Sequence, residues 1–320
     1  MYQIKSLPED FYVREIINLP FKKGQFSYYW LSKTGFSTME AVDFLSQKLR
    51  IPKKLFNFAG AKDKKAVTEQ ALSIKQGPHK DFDFGKIRLE FLGTGEEQIN
   101  LGENIGNYFE IILRDVRKMP EEKKWFINYF DDQRFSNNNA EIGRAIVKKE
   151  FEKAIALILE NRKKGYERNV EKHLNENKND FIGALRKADK SILRMYIHSF
   201  QSFLWNEKVS SMFSGENNEN EGRSSKKISY ALGQLEVPLT KPENTEVELF
   251  GFGSKEGFKD ISPRDFIIKE IPELSSEGAF RQLVAEAEDL KTETKENEVK
   301  LSFSLPKGSY ATMLVKQLFA

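Results

Sequence analysis

Asn57-Phe58-Ala59-Gly60-Ala61-Lys62-Asp63-Lys64-Lys65-Ala66-Val67-Thr68-Glu69-Gln70 carries more information than any other stretch of this chain. A short apolar strand, Leu55 to Ala59, runs into the polar loop Gly60 to Lys65, and Ala66 to Ile74 reads as the next strand. The loop presents one carboxylate, Asp63, flanked by Lys62, Lys64 and Lys65, with Gly60 permitting a tight backbone. A cation within a few ångströms lowers a carboxylate's pKa by roughly 1–3 units. An acid held ionised in this way suits a nucleophile or base working on a polyanion whose phosphates the lysines serve. The same residues also describe a solvated turn in which an acid balances its neighbours.

Outward from this loop, the first 120 residues read as strands. Phe11, Val13 and Glu15 alternate with Tyr12, Arg14 and Ile16, and Phe26 to Leu31 is a second aromatic run. Thr38 reads as the N-cap of a helix whose apolar face is Ala41, Val42, Phe44, Leu45 and Leu49, ending before Pro52. Lys86–Leu92 and Tyr108–Leu113 are further strands. The texture changes near residue 120. Lys123–Tyr129, Asn138–Arg162 and Ser191–Phe213 carry helical spacing, and residues 275–290 read as helix too. Residues 214–227 are a polar, low-complexity loop, and Gly/Pro punctuation up to about 272 implies short strands and turns. Lys291–Lys300 reads as a charged connection, followed by a strand from Val299 to Leu305. This last strand is placed to complete a sheet begun by the first 120 residues, with the helical middle inserted into that domain.

Composition narrows the function. Among 320 residues, 39% are apolar and 26 are Phe, enough to bury a core. The 51 Lys+Arg and 48 Asp+Glu leave a net charge of +3, so contact with nucleic acid has to come from local basic patches. The absence of Cys excludes disulfide scaffolds, thiolate zinc sites, cysteine nucleophiles and the zinc-dependent base deaminases. His79, His173 and His198 form no metal-spaced pair, so no metal site is expected. With no apolar signal core at its start and no stretch fit to span a bilayer, the chain is expected to be soluble and cytoplasmic.

The string Gly60-x-Lys62-Asp63-x-x-Ala66-x-Thr68-x-Gln70 resembles the signature of the TruD family of RNA pseudouridine synthases. Further resemblances follow in order along nearly the whole chain. Ile4 to Glu15 is similar to the family's opening motif, and Gly106-Asn107-Tyr108-Phe109 with Leu113-Arg114-Asp115 is similar to its Gly-Asn-x-Phe strand. Asn128-Tyr129-Phe130 with Gln133-Arg134-Phe135, Ser199 to Asn206, and Leu305 to Thr312 resemble three more motifs. The chain departs from the pattern at Asp131 and Ser136, where the family has glycine. It also departs at Gly278-Ala279-Phe280-Arg281 and at Val315-Lys316-Gln317-Leu318.

The resemblance implies an α+β fold. A pseudouridine-synthase-type mixed, mostly antiparallel sheet with helices is expected over 1–124 and 286–320, with an inserted α/β TRUD domain over 125–285 and RNA lying between them. It implies a uridine isomerase that breaks the N-glycosidic bond, turns the base and rejoins it to ribose through C5, with no cofactor. The expected substrate is transfer RNA, at uridine 13, and the expected state is a monomer. By the same resemblance Asp63 is the catalytic aspartate, attacking ribose C1′ or base C6 or taking a proton from the sugar. Lys5 is its basic partner, Phe109 stacks on the extruded base, Asn107 reads the uracil edge, and Phe11 and Tyr310 line the nucleotide pocket. Rival readings are the same chemistry on another RNA, a non-catalytic RNA-binding or chaperone protein of this fold, and a hydrolytic nuclease.

Overall fold

The structure is a computed structural model, and it describes residues 2–160, 165–214 and 225–320. Most of the low-complexity stretch 214–227 lies outside the described residues. By its internal contacts the chain divides into two compact units, one built from 1–124 and 285–311 and the other from 125–284 and 312–318. The helix within 312–318 therefore groups with the second unit, whereas the reading from sequence continues the first domain to residue 320.

The first unit is built on one sheet. Its strands are β1 (Phe11–Ile16), β2 (Phe26–Thr34), β3 (Phe56–Phe58), β4 (Val67–Lys75), β5 (Phe82–Asp83), β6 (Ile87–Gly95) and β7 (Gly106–Leu113), closed by β14 (Glu288–Lys295) and β15 (Glu298–Pro306). Their order is β14-β15-β7-β1-β4-β2-β6-β5, with β3 also on β4. β1 and β4 run parallel and the other pairings of this sheet are antiparallel. The period of two explains which side chains are covered. Phe11, Val13 and Glu15 of β1 face inward, as do Val299, Leu301, Phe303 and Leu305 of β15. Helix α1 (Thr38–Leu49) lays Ala41, Val42 and Leu45 on Tyr29, Leu31, Leu72 and Ile74, while Phe26, Tyr28 and Ala71 pack on the opposite face. Burial on both faces is why β2 reads as a nearly continuous aromatic run.

Two expectations for this unit are corrected. The N-cap of α1 is Ser37, whose Oγ accepts from Glu40 N while Glu40 Oε2 accepts from Ser37 N, and Thr38 is the first helical residue. The expected connection after Lys291 is instead β14, an edge strand. Its sequence Glu-Asp-Leu-Lys-Thr-Glu-Thr-Lys is almost wholly exposed, which hides the strand signal but suits an edge that must not pair further.

The second unit is mainly helical, with α3 (Asn139–Val147), α4 (Phe151–Glu160) and α7 (Lys190–Ser211) around a core that includes Ile142, Ile146, Tyr196, Ile197 and Phe200. Gly143 allows α3 to approach α7 closely, since a Cβ there would sit 2.0 Å from Tyr196 O. The expected continuous helix over Asn138–Arg162 is broken because Lys149 is left-handed, at φ 61°. Residues 161–164 lie outside the described residues. Two other helical expectations fail. Trp125–Ile127 is strand β8, and Gln317 exchanges hydrogen bonds with Ile127 N and O as a strand partner would, at 2.8 and 2.7 Å. Residues 275–290 contain β12 (Ala279–Gln282), paired with β11 (Glu246–Leu249), then β13 (Val284–Glu286) and the start of β14. Long-range pairing there overrides the helical preference of its Glu and Ala residues.

Candidate active site

The loop between β3 and β4 leaves the sheet at a gap. On one edge of β4, β1 pairs with Val67–Glu69 and β3 pairs with Leu72–Ile74. Between them Ala71 N–H donates to Glu15 Oε2 at 3.1 Å, so a side chain satisfies the backbone donor that neither strand reaches. Glu15 also takes Lys62 Nζ at 2.6 Å, and that pair is sealed, with side chains 0% and 9% exposed.

The loop is pinned residue by residue. Ala59 O accepts from Gly102 N and Gly60 O accepts from Gln70 Nε2. Lys62 N donates to Thr38 Oγ1, which itself donates to Gln70 Oε1 at 2.7 Å. This explains why Thr38 does not cap its helix. Gln70 thus secures the loop through both ends of its amide. Beneath the loop lies Lys33, 1% exposed, whose Nζ donates to Phe36 O at 2.7 Å, Asp63 O at 3.0 Å and Lys62 O at 3.4 Å.

Lys33 holds the backbone of Asp63, and a second lysine holds its carboxylate. Oδ2 accepts from Lys5 Nζ at 2.9 Å, with side chains 31% and 22% exposed. The cation at Asp63 thus comes from the N-terminal segment and not from its sequence neighbours. Lys62 serves Glu15, and Lys64 pairs with Glu40 at 2.7 Å. Lys5 is held in the left-handed region, at φ 58°, a conformation that persists only where the surroundings enforce it. The enforcement is visible on both sides. Gln3 bridges Arg114 through paired backbone bonds of 2.8 and 3.0 Å, and Arg114 grips buried Asp10 through Nε and Nη2. Asp10 also accepts from Leu7 N at 2.9 Å. The Arg114 guanidinium holds the Asp10 carboxyl below its usual range.

The other expected site residues are placed as follows. Lys5 Nζ lies 4.1 Å from the centroid of the Phe11 ring, a cation–π contact. Phe11 meets Phe109 edge-on at 6.1 Å, and Phe109 stacks on Phe303 at 5.5 Å. Phe11 and Phe109 are 4% and 6% exposed, so both rings are covered in this state. Asn107 lies opposite Glu15 on β1 and opposite Leu305 on β15, on the same sheet face as Phe109. Among the described residues its buried Oδ1 has no hydrogen-bond partner. Tyr310 is half-buried just before α8 (Ala311–Leu318), at the end of the turn that follows β15. Contacts and register join Lys5, Asp63, Phe11, Phe109 and Asn107, while Tyr310 follows the strand that pairs with Asn107 and Phe109.

Lys33, Glu15, Asp10 and Arg114 were not singled out from the sequence. Lys33 had a signal: it shares the inward parity of Tyr29 and Leu31 on β2, where a charge is out of place. Among the described residues no His, Asp and Glu are grouped to hold a metal, and no helix is long and apolar enough to cross a membrane.

In the second unit, two positions that depart from the TruD pattern, Asp131 and Lys316, pair with each other at 2.6 Å. Arg281 lies 4.1 Å over the Phe130 ring while donating to Asn128 O and Oδ1.

Comparison with known proteins identifies the family. The family model described as tRNA pseudouridine synthase D (TruD) matches residues 2–165, 160–222 and 255–318. The chain is 32% identical to tRNA pseudouridine synthase D of Aquifex aeolicus, with 99% of this chain and 98% of that protein aligned. It is 29% identical to a probable tRNA pseudouridine synthase D of Nanoarchaeum equitans, over 99% and 98% of the two chains. A crystal structure of a putative tRNA pseudouridine synthase D from Methanosarcina mazei superposes with a TM-score of 0.70 at 24% identity, covering 99% and 93%, and shares the fold. This chain belongs to the tRNA pseudouridine synthase D family.

Proposed function

We propose that this chain isomerises a uridine of transfer RNA to pseudouridine, at position 13, with Asp63 as the group that acts on the nucleotide. Membership of the family makes it an isomerase. The observation that carries the reading is the Asp63 carboxylate itself. It is charge-paired with Lys5 at 2.9 Å, partly open to solvent, and joined through Lys5 to the ring of Phe11. In the reaction the bond from base N1 to ribose C1′ breaks and one from C5 to C1′ forms. The C5 hydrogen leaves and N1 gains a proton, so the atoms balance without a co-reactant. A carboxylate at this site serves as nucleophile towards C1′ or C6, or as base towards the sugar. Asn107, with its unpartnered Oδ1, is the group assigned to the uracil edge. Phe11, Phe109 and Tyr310 are assigned to the walls around the extruded base.

The test is a carbodiimide map of pseudouridines on cellular RNA treated with wild type and with Asp63→Asn. Wild type is expected to add a single mark to transfer RNA at position 13. Asp63→Asn is expected to lose turnover by about a thousandfold or more while RNA affinity stays within a few-fold. A mark at another position would retain the chemistry and replace the target. Equal loss of binding and turnover would make Asp63 structural.

A further inference from the structure

We infer that Lys33 is the positioning residue of the Asp63 loop: its ammonium ties the carbonyls of Phe36, Lys62 and Asp63 together and thereby fixes where the Asp63 carboxylate stands. The inference rests on the reading of Asp63 as the reacting group. A buried lysine ordinarily pairs with a carboxylate, because an isolated interior charge is costly. Lys33 does not. Its hydrogen bonds go to three neutral carbonyls, and two of those belong to consecutive residues of the loop, one of them Asp63. An apolar residue of similar length would fill the same space on β2 beside Leu31 and Tyr29. What the ammonium adds is a three-pronged donor that apolar packing cannot supply.

The charged groups around it are otherwise engaged. From the loop come Lys62, paired with Glu15, and Asp63, paired with Lys5. From α1 comes Glu40, paired with Lys64. From β4, Thr68 lies opposite Lys33, and its buried hydroxyl lacks a partner among the described residues. Burial lowers the Lys33 pKa to about 8, against the opposing pull of Asp63. Above that pH the neutral amine has two N–H groups for three carbonyls and no charge to strengthen them. The signs separate positioning from stability. Between about pH 8 and the ordinary lysine value of 10.5 the folded chain binds fewer protons at Lys33 than the unfolded chain does. The Lys33 contribution to stability therefore rises with pH across that window while the loop loses its anchor.

The experiment uses the full chain, as wild type, Lys33→Met and Lys33→Arg. Turnover on an unmodified transfer RNA transcript is measured from pH 6.5 to 9, with amide hydrogen exchange over residues 60–65. Lys33→Met is expected to lower kcat about a hundredfold with KM within about threefold, the scale of a misplaced reacting group. Exchange at Lys64 and Lys65 should be faster, and the thermal midpoint no lower than that of wild type. Wild-type kcat should fall as pH rises through about 8. That limb should move to higher pH in Lys33→Arg, which keeps a cation throughout. The uracil N3–H also ionises in alkali but is untouched by this change. Unchanged kcat or unchanged loop exchange in Lys33→Met overturns the inference, as does an alkaline limb that stays in place in Lys33→Arg. If Lys33→Met fails to fold, wild-type loop exchange at pH 7 and pH 9, corrected for intrinsic rates, decides instead. Selective loss of protection supports the inference and retained protection overturns it. A wild type that makes no pseudouridine on any RNA defeats the proposed function, while the exchange measurements still decide the role of Lys33.

Discussion

Lys62 and Asp63 are adjacent in the chain and each takes part in an ion pair, yet the two pairs differ sharply in cover. The inner pair, Lys62–Glu15, is almost fully covered, while the outer pair, Lys5–Asp63, is about a quarter open. Inside, the charges hold the loop to the sheet and fill a gap in its hydrogen bonding. Outside, the same chemistry leaves a carboxylate reachable by a ligand. Burial, and not residue type, separates the two pairs. Asp63→Asn, described above, attacks the outer pair and should give the largest effect, on turnover and not on folding.

Glu15→Gln attacks the inner pair. It strands Lys62 without a counter-charge and is expected to lower folding stability by about 3–5 kcal/mol, read from urea unfolding. A variant that lost turnover but no stability would erase the distinction between the two sides. Phe109→Ala tests what supports the outer side. The Phe109 ring fills the space between Phe11 and Phe303. Its removal should cost about 3 kcal/mol or more of stability as well as activity, because Lys5 rests on Phe11. Lost activity at unchanged thermal midpoint would instead make Phe109 a pure stacking platform. The smallest effect is expected from Asp10→Asn, which loosens the clamp around Lys5. The folded-state pKa of Asp10 is below its usual 3.8, so the stability it contributes is present above that value and lost as pH falls through the lower one. The variant should therefore show a flatter stability profile below about pH 4 than wild type, with a modest loss of turnover at neutral pH.

Much of the first unit was legible because its strands keep a two-residue period and α1 keeps an apolar stripe. Phe11, Val13 and Glu15, or Val299 to Leu305, announce their faces without help. β14 did not, because an edge strand made of Glu, Asp, Lys and Thr has no apolar face to announce. Residues 275–290 misled because Leu283, Val284, Ala285 and Ala287 are all buried, a pattern that fits neither period cleanly. The Gly60–Lys65 loop was legible as a motif, but its wiring was not. Reading Lys62, Lys64 and Lys65 as the cations around Asp63 was natural from adjacency, whereas the structure sends Lys62 and Lys64 to Glu15 and Glu40. Lys5, 58 positions away, reaches Asp63 through topology. Its place in the site followed from family resemblance and could not follow from local spacing.

The gap bridged by Glu15 has a mechanical consequence. A loop that emerges where two strands meet end to end along a third needs no frayed edge and no hinge in order to project. The Glu15 carboxylate closes that junction by taking both the Ala71 N–H and the Lys62 ammonium, so the root of the loop is tied to the sheet at the very place where it departs.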